Sequence, residues 1–357
     1  MATQQPLVAD PAMLPVLLSI LLVVLPSAYF LLRYLGSKVG ETSLGLPPPL
    51  PPADEIVSLR IYPIKSCRGF EVKSARMLRT GLDLDRNWMF ISLPKREFIT
   101  IRTNSNMTLI DTAVDWERDE LIVSIKGHGH KISIPAHPSR QWLEDNTTLN
   151  KATIWSQETD GWEYAADLTQ PFSDFFGTDV RLVYKGPTPR LLRGSGSPER
   201  LGRTQSTKFA DMMPVQVSSM ASIAELNERL RRAGEDEITI ERFRPNIVVR
   251  GHEPWNEDGW KALRINDGAG RGPALGLDVV CRCLRCQVPN VNPDTADKHP
   301  RQPWNELMSY RRIDEGLKFK PSFGMLCAPR EEGLVEVGMK FEVTKTTNNH
   351  FFISPMK

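Results

Sequence analysis

The chain has 357 residues, 40% of them apolar and 25% charged, the ordinary balance of a folded protein with more than one small core. A net charge of +2, with no basic run carrying interleaved aromatics and no internal repeat, removes any broad electrostatic case for nucleic acid. Five cysteines are few for this length and odd in number, which argues against a disulfide-built secreted domain and for a reducing compartment.

No Asp, Glu, Lys, Arg or His lies between Asp10 and Arg33, and the run MLPVLLSILLVVLPSAYFLL fills that gap. A helix of this length spans roughly 30 Å, about one hydrocarbon core. Pro15 and Pro26 suit a membrane helix better than a soluble one. A cleaved secretory signal is the competing reading; the run is long for one, and no Lys or Arg precedes it. Arg33 and Lys38 follow the run and Asp10 precedes it, so the positive-inside rule places the C-terminal side in the cytosol. Tyr29 and Tyr34 fall at the interface belt. The sequence thus predicts a tail over 1–12, a single-pass anchor over 13–35 and a linker over 36–54. GLPPPLPPADE in that linker favours an extended polyproline spacer over an SH3-type ligand.

The body begins near Glu55. IVSLRIYPI (56–64) alternates, with Val57, Leu59 and Ile61 on one side and Ser58, Arg60 and Tyr62 on the other, as a half-buried strand does. WMFISL (88–93), FITIRT (98–103), LIVSI (121–125) and KISIPA (131–136) follow as short strands between turn-rich pieces. QPFSDFFG (170–177) reads as a short helix stopped by Gly177. Residues 186–205, rich in Gly, Pro, Ser and Arg, read as a long mobile loop whose arginines either face solvent or meet an anion. SMASIAELNERLRR (219–232) puts Ile223, Leu226 and Leu230 on one helical face. PWNELMSYRR (303–312) is a second helix with Pro303 in its first turn. GLVEVGMKFEV returns to alternation and predicts a strand pair around a glycine bend. The fold class is mainly β (α+β), a barrel or sandwich with a few covering helices, divided here into 55–185 and 186–357.

CRCLRCQVPNVNPDT (281–295) holds Cys281, Cys283 and Cys286 in six positions. A zinc knuckle would need a fourth ligand, with Cys67 and Cys327 far away and His299 the nearest option. An iron–sulfur cluster has the same shortage, and a redox pair at Cys283 and Cys286 lacks a thioredoxin-like surround. Inert buried thiols are the remaining alternative. Three other stretches suit an anionic ligand. PIKS (63–66) places Lys65 and Ser66 at a strand end. LDLDRNW (82–88), if extended, turns Arg86 away from Asp85 and Asn87. ERFRPNIVVRG (241–251) holds Arg244, expected to be extended before Pro245, and Asn246, whose amide suits a heterocycle edge. Together they point to a phosphate-bearing heterocyclic cofactor.

IYPIKSCRGFEV, LDLDRNWMF, FRPNIVVRG and RCLRCQVPNVNPDT resemble the MOSC-domain proteins, and among them the mitochondrial amidoxime-reducing components, from about residue 55 to the C-terminus. The resemblance implies a MOSC-type β-barrel, an N-terminal β-rich MOSC subdomain and a molybdenum–molybdopterin cofactor. It assigns Cys286 as the molybdenum ligand, and Lys65, Ser66, Arg86, Arg244, Asn246 and Arg285 as residues holding the pterin and its phosphate. One soft thiolate is enough beside a dithiolene, so Cys281 and Cys283 become structural bystanders. The chain departs from the family at Met212 and Met213, where a hydroxyl-bearing pair is common. It also departs at Leu284 (a small polar residue), Leu326 (a tyrosine) and Asn292 (an acid).

The implied activity is reduction of N-hydroxylated compounds, amidoximes and hydroxylamines, to N–H products with release of water. Asp294 is a candidate proton donor by its place in the loop, with a turn-forming role as the alternative. No ferredoxin-type cysteine set and no G-x-G-x-x-G fingerprint is present. Electrons are therefore expected from another protein, and the resemblance implies a membrane-bound b-type cytochrome and its NADH-dependent flavin reductase, all three on one membrane. The mitochondrial outer membrane is favoured over the endoplasmic reticulum. Rival readings are a molybdenum-cofactor or sulfur carrier of the MOSC type and a zinc-bound membrane adaptor.

Overall fold

In the computed structural model the described residues are 46–267 and 272–355. The expected anchor over 13–35 lies outside them, and among the described residues no helix is long and apolar enough to cross a membrane. Residues 47–357 form one compact unit.

Its centre is a closed ring of seven strands, in the order Ile247–Val249, Val215–Ser219, Ser322–Pro329, Leu275–Leu284, Trp260–Asn266, Lys340–Thr346 and Asp54–Ile61, which returns to Ile247–Val249. Phe70–Val72 adds an outer strand. Every neighbouring pair is antiparallel except Val215–Ser219 with Ile247–Val249. That parallel pair is connected through the helix Met220–Arg232, as parallel strands need a crossover. Ser322–Pro329 is buried along its whole length, and Phe243 stacks on its Phe323 at 3.7 Å.

Against the ring lies a five-stranded sheet, ordered Thr147–Ile154, Gln157–Tyr164, Val180–Lys185, Trp88–Ser92 and Glu97–Phe98. A three-stranded meander spans Ile110–Asp115, Glu120–Ile125 and Lys131–Pro135. The two halves of the sequence interlock. Asp54–Ile61 belongs to the ring, and Gly333–Glu336 pairs with Ser74–Leu78. One apolar cluster joins ring residues such as Leu59 and Val217 to Trp88, Phe90 and Phe172.

The expected strands and helices are present with informative differences. On Asp54–Ile61 the buried residue is Ile56, not Val57, because a bulge between Ile56 and Ser58 shifts the alternation by one. The predicted strand 98–103 stops at Phe98, and the chain turns at Thr100, which accepts from the amides of Thr103 and Asn104. The first helix starts earlier, at Ala166, and carries Pro171 inside it with one main-chain bond forgone. It ends as expected on Gly177 at φ 67°. Gly333–Glu336 and Lys340–Thr346 flank the bend at Gly338 but do not pair with each other; each finds a better-matched strand elsewhere. The segment 186–205 is built rather than open. Arg190–Leu191 pairs with Ser206–Thr207, and Pro198–Leu201 forms a short helix. Arg190 is buried and donates to the carbonyls of Lys208, Ala210 and Asp211, while Arg203 pairs with Asp278.

Candidate functional site

Several strand ends converge on a cleft of about 450 Å³. Asp54–Ile61 delivers Lys65 and Ser66, fixed by the Lys65 amide donating to Trp88 O at 2.8 Å. Leu275–Leu284 runs into Arg285 and Cys286, where the Arg285 amide donates to Pro321 O at 2.8 Å. The approach to Ile247–Val249 supplies Arg244 and Asn246, and the approach to Val215–Ser219 supplies Asp211, Met212 and Met213. Lys65, Ser66, Arg86, Arg244, Asn246, Arg285 and Cys286, expected from sequence to act together, all line this one cleft. Ser66, Arg86, Trp155 and Arg244 line it with φ between 49° and 69°, left-handed backbone that costs non-glycine residues and concentrates at functional sites.

The cleft is strongly cationic. Lys65, Arg86, Arg102, Arg244, Arg285 and Lys320 face it against the carboxylate of Asp211. Burial pulls the Lys65 ammonium down to about 8, with Asp211 acting the other way. Its Nζ donates to Phe209 O at 2.9 Å and pairs with Asp211. Asp211 is half-exposed. What burial it has acts upward, but Lys65 and Arg102 outweigh it and hold the carboxyl well below the usual carboxylate range. Arg86 and Arg244 stand at 4.4 and 4.2 Å from the Tyr62 ring. Burial, with Arg86 beside it, pulls Arg244 down to about 10. Arg244 Nη2 and Arg285 Nε are buried without a hydrogen-bond partner among the described residues. Two positive groups around one ring, with buried donors unspent, form a seat for an anion.

Cys286 is the half-buried thiol of the five; Cys67, Cys281, Cys283 and Cys327 are buried and all are unbridged. Arg102 Nε donates to Cys286 Sγ at 3.3 Å, its Nη2 to Asp211 Oδ2 at 2.9 Å, and its guanidinium lies 4.7 Å from the Trp155 ring. Cys283 accepts from Arg285 Nη1 at 2.9 Å, and burial pushes its thiol up. Among the described residues no three His, Cys, Asp or Glu side chains are grouped to hold a metal.

Four local expectations are corrected or refined. Arg244 is not extended: it caps the turn Ile240–Phe243 at φ 58°, its amide donating to Glu241 O. Arg86 is not opposite Asp85. The backbone turns at φ 51°, and Nη1 reaches the buried Asp85 carboxylate at 2.6 and 2.7 Å. The Asn246 amide is used by the main chain, accepting from Gln216 N at 3.1 Å and donating to Arg60 O at 3.3 Å, so it shapes the cleft wall. Asp294 is not brought to the cleft lining. It pairs with Arg68 at 2.6 Å and Lys126 at 3.5 Å, and the Arg68 guanidinium beside it holds its carboxyl down. Sequence reasoning missed Arg102, Trp155 and Lys320. Arg102 looked like one residue of a strand, and only the turn at Thr100 brings it to Cys286.

Residues 53–179 match the MOSC N-terminal beta barrel domain and residues 204–342 match the MOSC domain. The chain is 31% identical over 293 residues to mitochondrial amidoxime-reducing component 1 of Mus musculus, covering 79% of this chain and 80% of that protein. The chain belongs to the MOSC-domain family of the mitochondrial amidoxime-reducing components. Mitochondrial amidoxime reducing component 2 of Bos taurus is 29% identical over 292 residues, covering 79% of this chain and 81% of that protein. A molybdenum cofactor sulfurase of Arabidopsis thaliana is 31% identical over 285 residues, but these are only 33% of that longer protein. Met212, Met213, Leu284 and Leu326 all fall on the cleft lining.

Proposed function

We propose that this cleft holds a molybdenum–molybdopterin cofactor and that the protein reduces N-hydroxylated compounds, amidoximes and hydroxylamines, to the N–H compound and water. The observation that carries the reading is the meeting of one half-buried thiol, Cys286, with an anion seat whose buried Arg244 Nη2 has no partner among the described residues. The residues fit the group: a soft sulfur donor for molybdenum at one end, and a cationic, aromatic-backed seat for a phosphate at the other.

When bound, the cofactor supplies the two-electron chemistry. Cys286 Sγ is the residue that ligates the metal. Arg102 holds that sulfur and Asp211 in one arrangement. Arg86, Arg244 and Lys65 neutralise the phosphate, and Ser66 and Arg285 hold the pterin. Arg285 is fixed for this by donating to Phe243 O at 3.0 Å and Gln216 Oε1 at 3.2 Å. The net change takes two electrons and two protons, replaces N–OH by N–H and releases water. Electrons come from a membrane-bound b-type cytochrome and an NADH-dependent flavin reductase. Residues 13–35 anchor the protein, with its body in the cytosol; the relatives' names point to the mitochondrion, and the anchor to its outer membrane.

Dithionite-reduced protein should convert benzamidoxime to benzamidine and carry about one molybdenum per chain. Cys286→Ala should lower turnover by at least ~100-fold, as loss of a metal ligand does. Full turnover in that variant removes the ligand assignment. A cofactor carrier is the second reading, favoured by the apolar residues Met212, Met213, Leu284 and Leu326 in the cleft. Tight molybdopterin without turnover would decide for it; zinc in place of molybdenum would decide against both.

A further inference from the structure

The match to the MOSC domain ends at residue 342, yet Phe352, Ser354 and Pro355 line the cleft. After the strand Lys340–Thr346 the chain turns back and is fastened along its length. The carbonyl of His350 accepts from Arg282 at 3.0 Å, and the Phe352 amide donates to Asp314 Oδ1 at 2.9 Å. The Ser195 amide donates to Ile353 O at 3.1 Å, and the Ile353 amide donates to Ser195 Oγ at 2.8 Å. The seat is shaped for main chain: a Cβ on Gly316 would stand 2.1 Å from Phe352 O, and one on Gly194 would stand 2.4 Å from Ile353 O. Phe352 packs in one apolar cluster with Met213, Leu326 and, at its edge, Met212, Leu284 and Leu317. Met212, Met213, Leu284 and Leu326 and the segment beyond the family match therefore form one apolar wall of the cleft.

We propose that residues 350–355 are a built-in wall of the cleft that makes it select N-hydroxylated substrates carrying an apolar body over small polar ones. This rests on the reductase reading for the N–OH group and on the apolar cluster for the rest of the substrate. Burial of each methylene favours binding by about fourfold, so a chain longer by four methylenes is a sensitive probe.

The test uses the full chain and two product-like probes, acetamidine and hexanamidine, with dissociation constants measured by calorimetry. The unmutated protein should prefer hexanamidine by at least ~10-fold. Phe352→Ala removes the wall's aromatic ring, and Gly316→Ala displaces the segment without altering the chemistry of any lining side chain. Each should reduce the preference by at least ~5-fold, with acetamidine binding changed less than ~2-fold. Amide exchange needs no variant: hexanamidine, and not acetamidine, should slow exchange over 350–355 in the unmutated chain. An unmutated chain without preference, variants that keep it, or exchange indifferent to hexanamidine would each overturn the proposal. Molybdenum is measured on the same samples. A metal-free chain that keeps the preference upholds the wall and removes the reductase reading; a molybdenum-loaded chain without it removes the wall alone.

Discussion

Lys65 and Asp211 show how burial and charge decide chemistry at a single residue. Lys65 keeps its proton up to about pH 8 because Asp211 offsets part of the desolvation. Its folded value lies below the unfolded one, so the cost of burying the ammonium is complete below pH 8 and is relieved as pH rises from there towards 10.5. An anion in the cleft restores the charged form. Pyrophosphate binding at pH 8 should therefore take up protons and weaken as pH rises through 8, as calorimetry in buffers of different ionisation enthalpy would report. Binding without proton uptake would detach Lys65 from the anion seat. Arg244→Ala should weaken pyrophosphate by about 10- to 100-fold, the worth of a hydrogen bond to a charged group.

At the scale of an element, the helix Met220–Arg232 depends on a small polar assembly at its start. Ser219 caps it, accepting from the Ser222 amide at 3.1 Å, and Ser222 Oγ donates to Glu257 Oε2 at 2.9 Å. Glu257 is fully buried, and its Oε1 has no partner among the described residues. Burial, then the nearby Asp258, pushes the carboxyl up to about 7. A raised acid binds its proton in the folded state first, so this group makes stability fall as pH rises from about 4.5 to 7. Glu257→Gln should flatten that dependence, a difference on the order of a few kcal/mol between pH 5 and 8 in urea unfolding. An unchanged pH slope would mean the carboxylate is already ionised. Ser219→Ala should cost about 1–2 kcal/mol by loss of the cap.

Across the whole molecule, the interlock of the two sequence halves matters more than the run of strands within either. The ring closes only through Asp54–Ile61, which bridges Ile247–Val249 and Lys340–Thr346. Residues 186–357 expressed alone should therefore lack a native-like core, and residues 46–357 should unfold in one cooperative transition. A soluble, cooperatively melting 186–357 fragment would show the ring to be dispensable. The sequence over 13–35 makes a separate prediction: the full chain sediments with membranes at high salt, whereas the chain begun at residue 46 stays in solution.

Local pattern carries a good part of this protein. Short β-prone runs between turn-rich pieces located Trp88–Ser92, Glu120–Ile125 and Lys131–Pro135, and a 3.6-residue period located Met220–Arg232, because these signals are local to the chain. Residue chemistry in short stretches picked out Lys65, Ser66, Arg86, Arg244 and Asn246, the family resemblance added Arg285 and Cys286, and the fold brings them to one cleft. Sequence could not show how each side chain is spent. The bulge at Ile56 to Ser58, the left-handed turns at Arg86 and Arg244 and the turn at Thr100 all depend on contacts distant along the chain. So do the partners: Asn246 is claimed by the main chain, Asp294 by Arg68, and Cys286 by an Arg102 that lies 184 residues away. Side-chain pattern records burial, which is local and periodic; the pairing of charges and the closing of a cavity are properties of tertiary packing, and they exist only once the ring has shut.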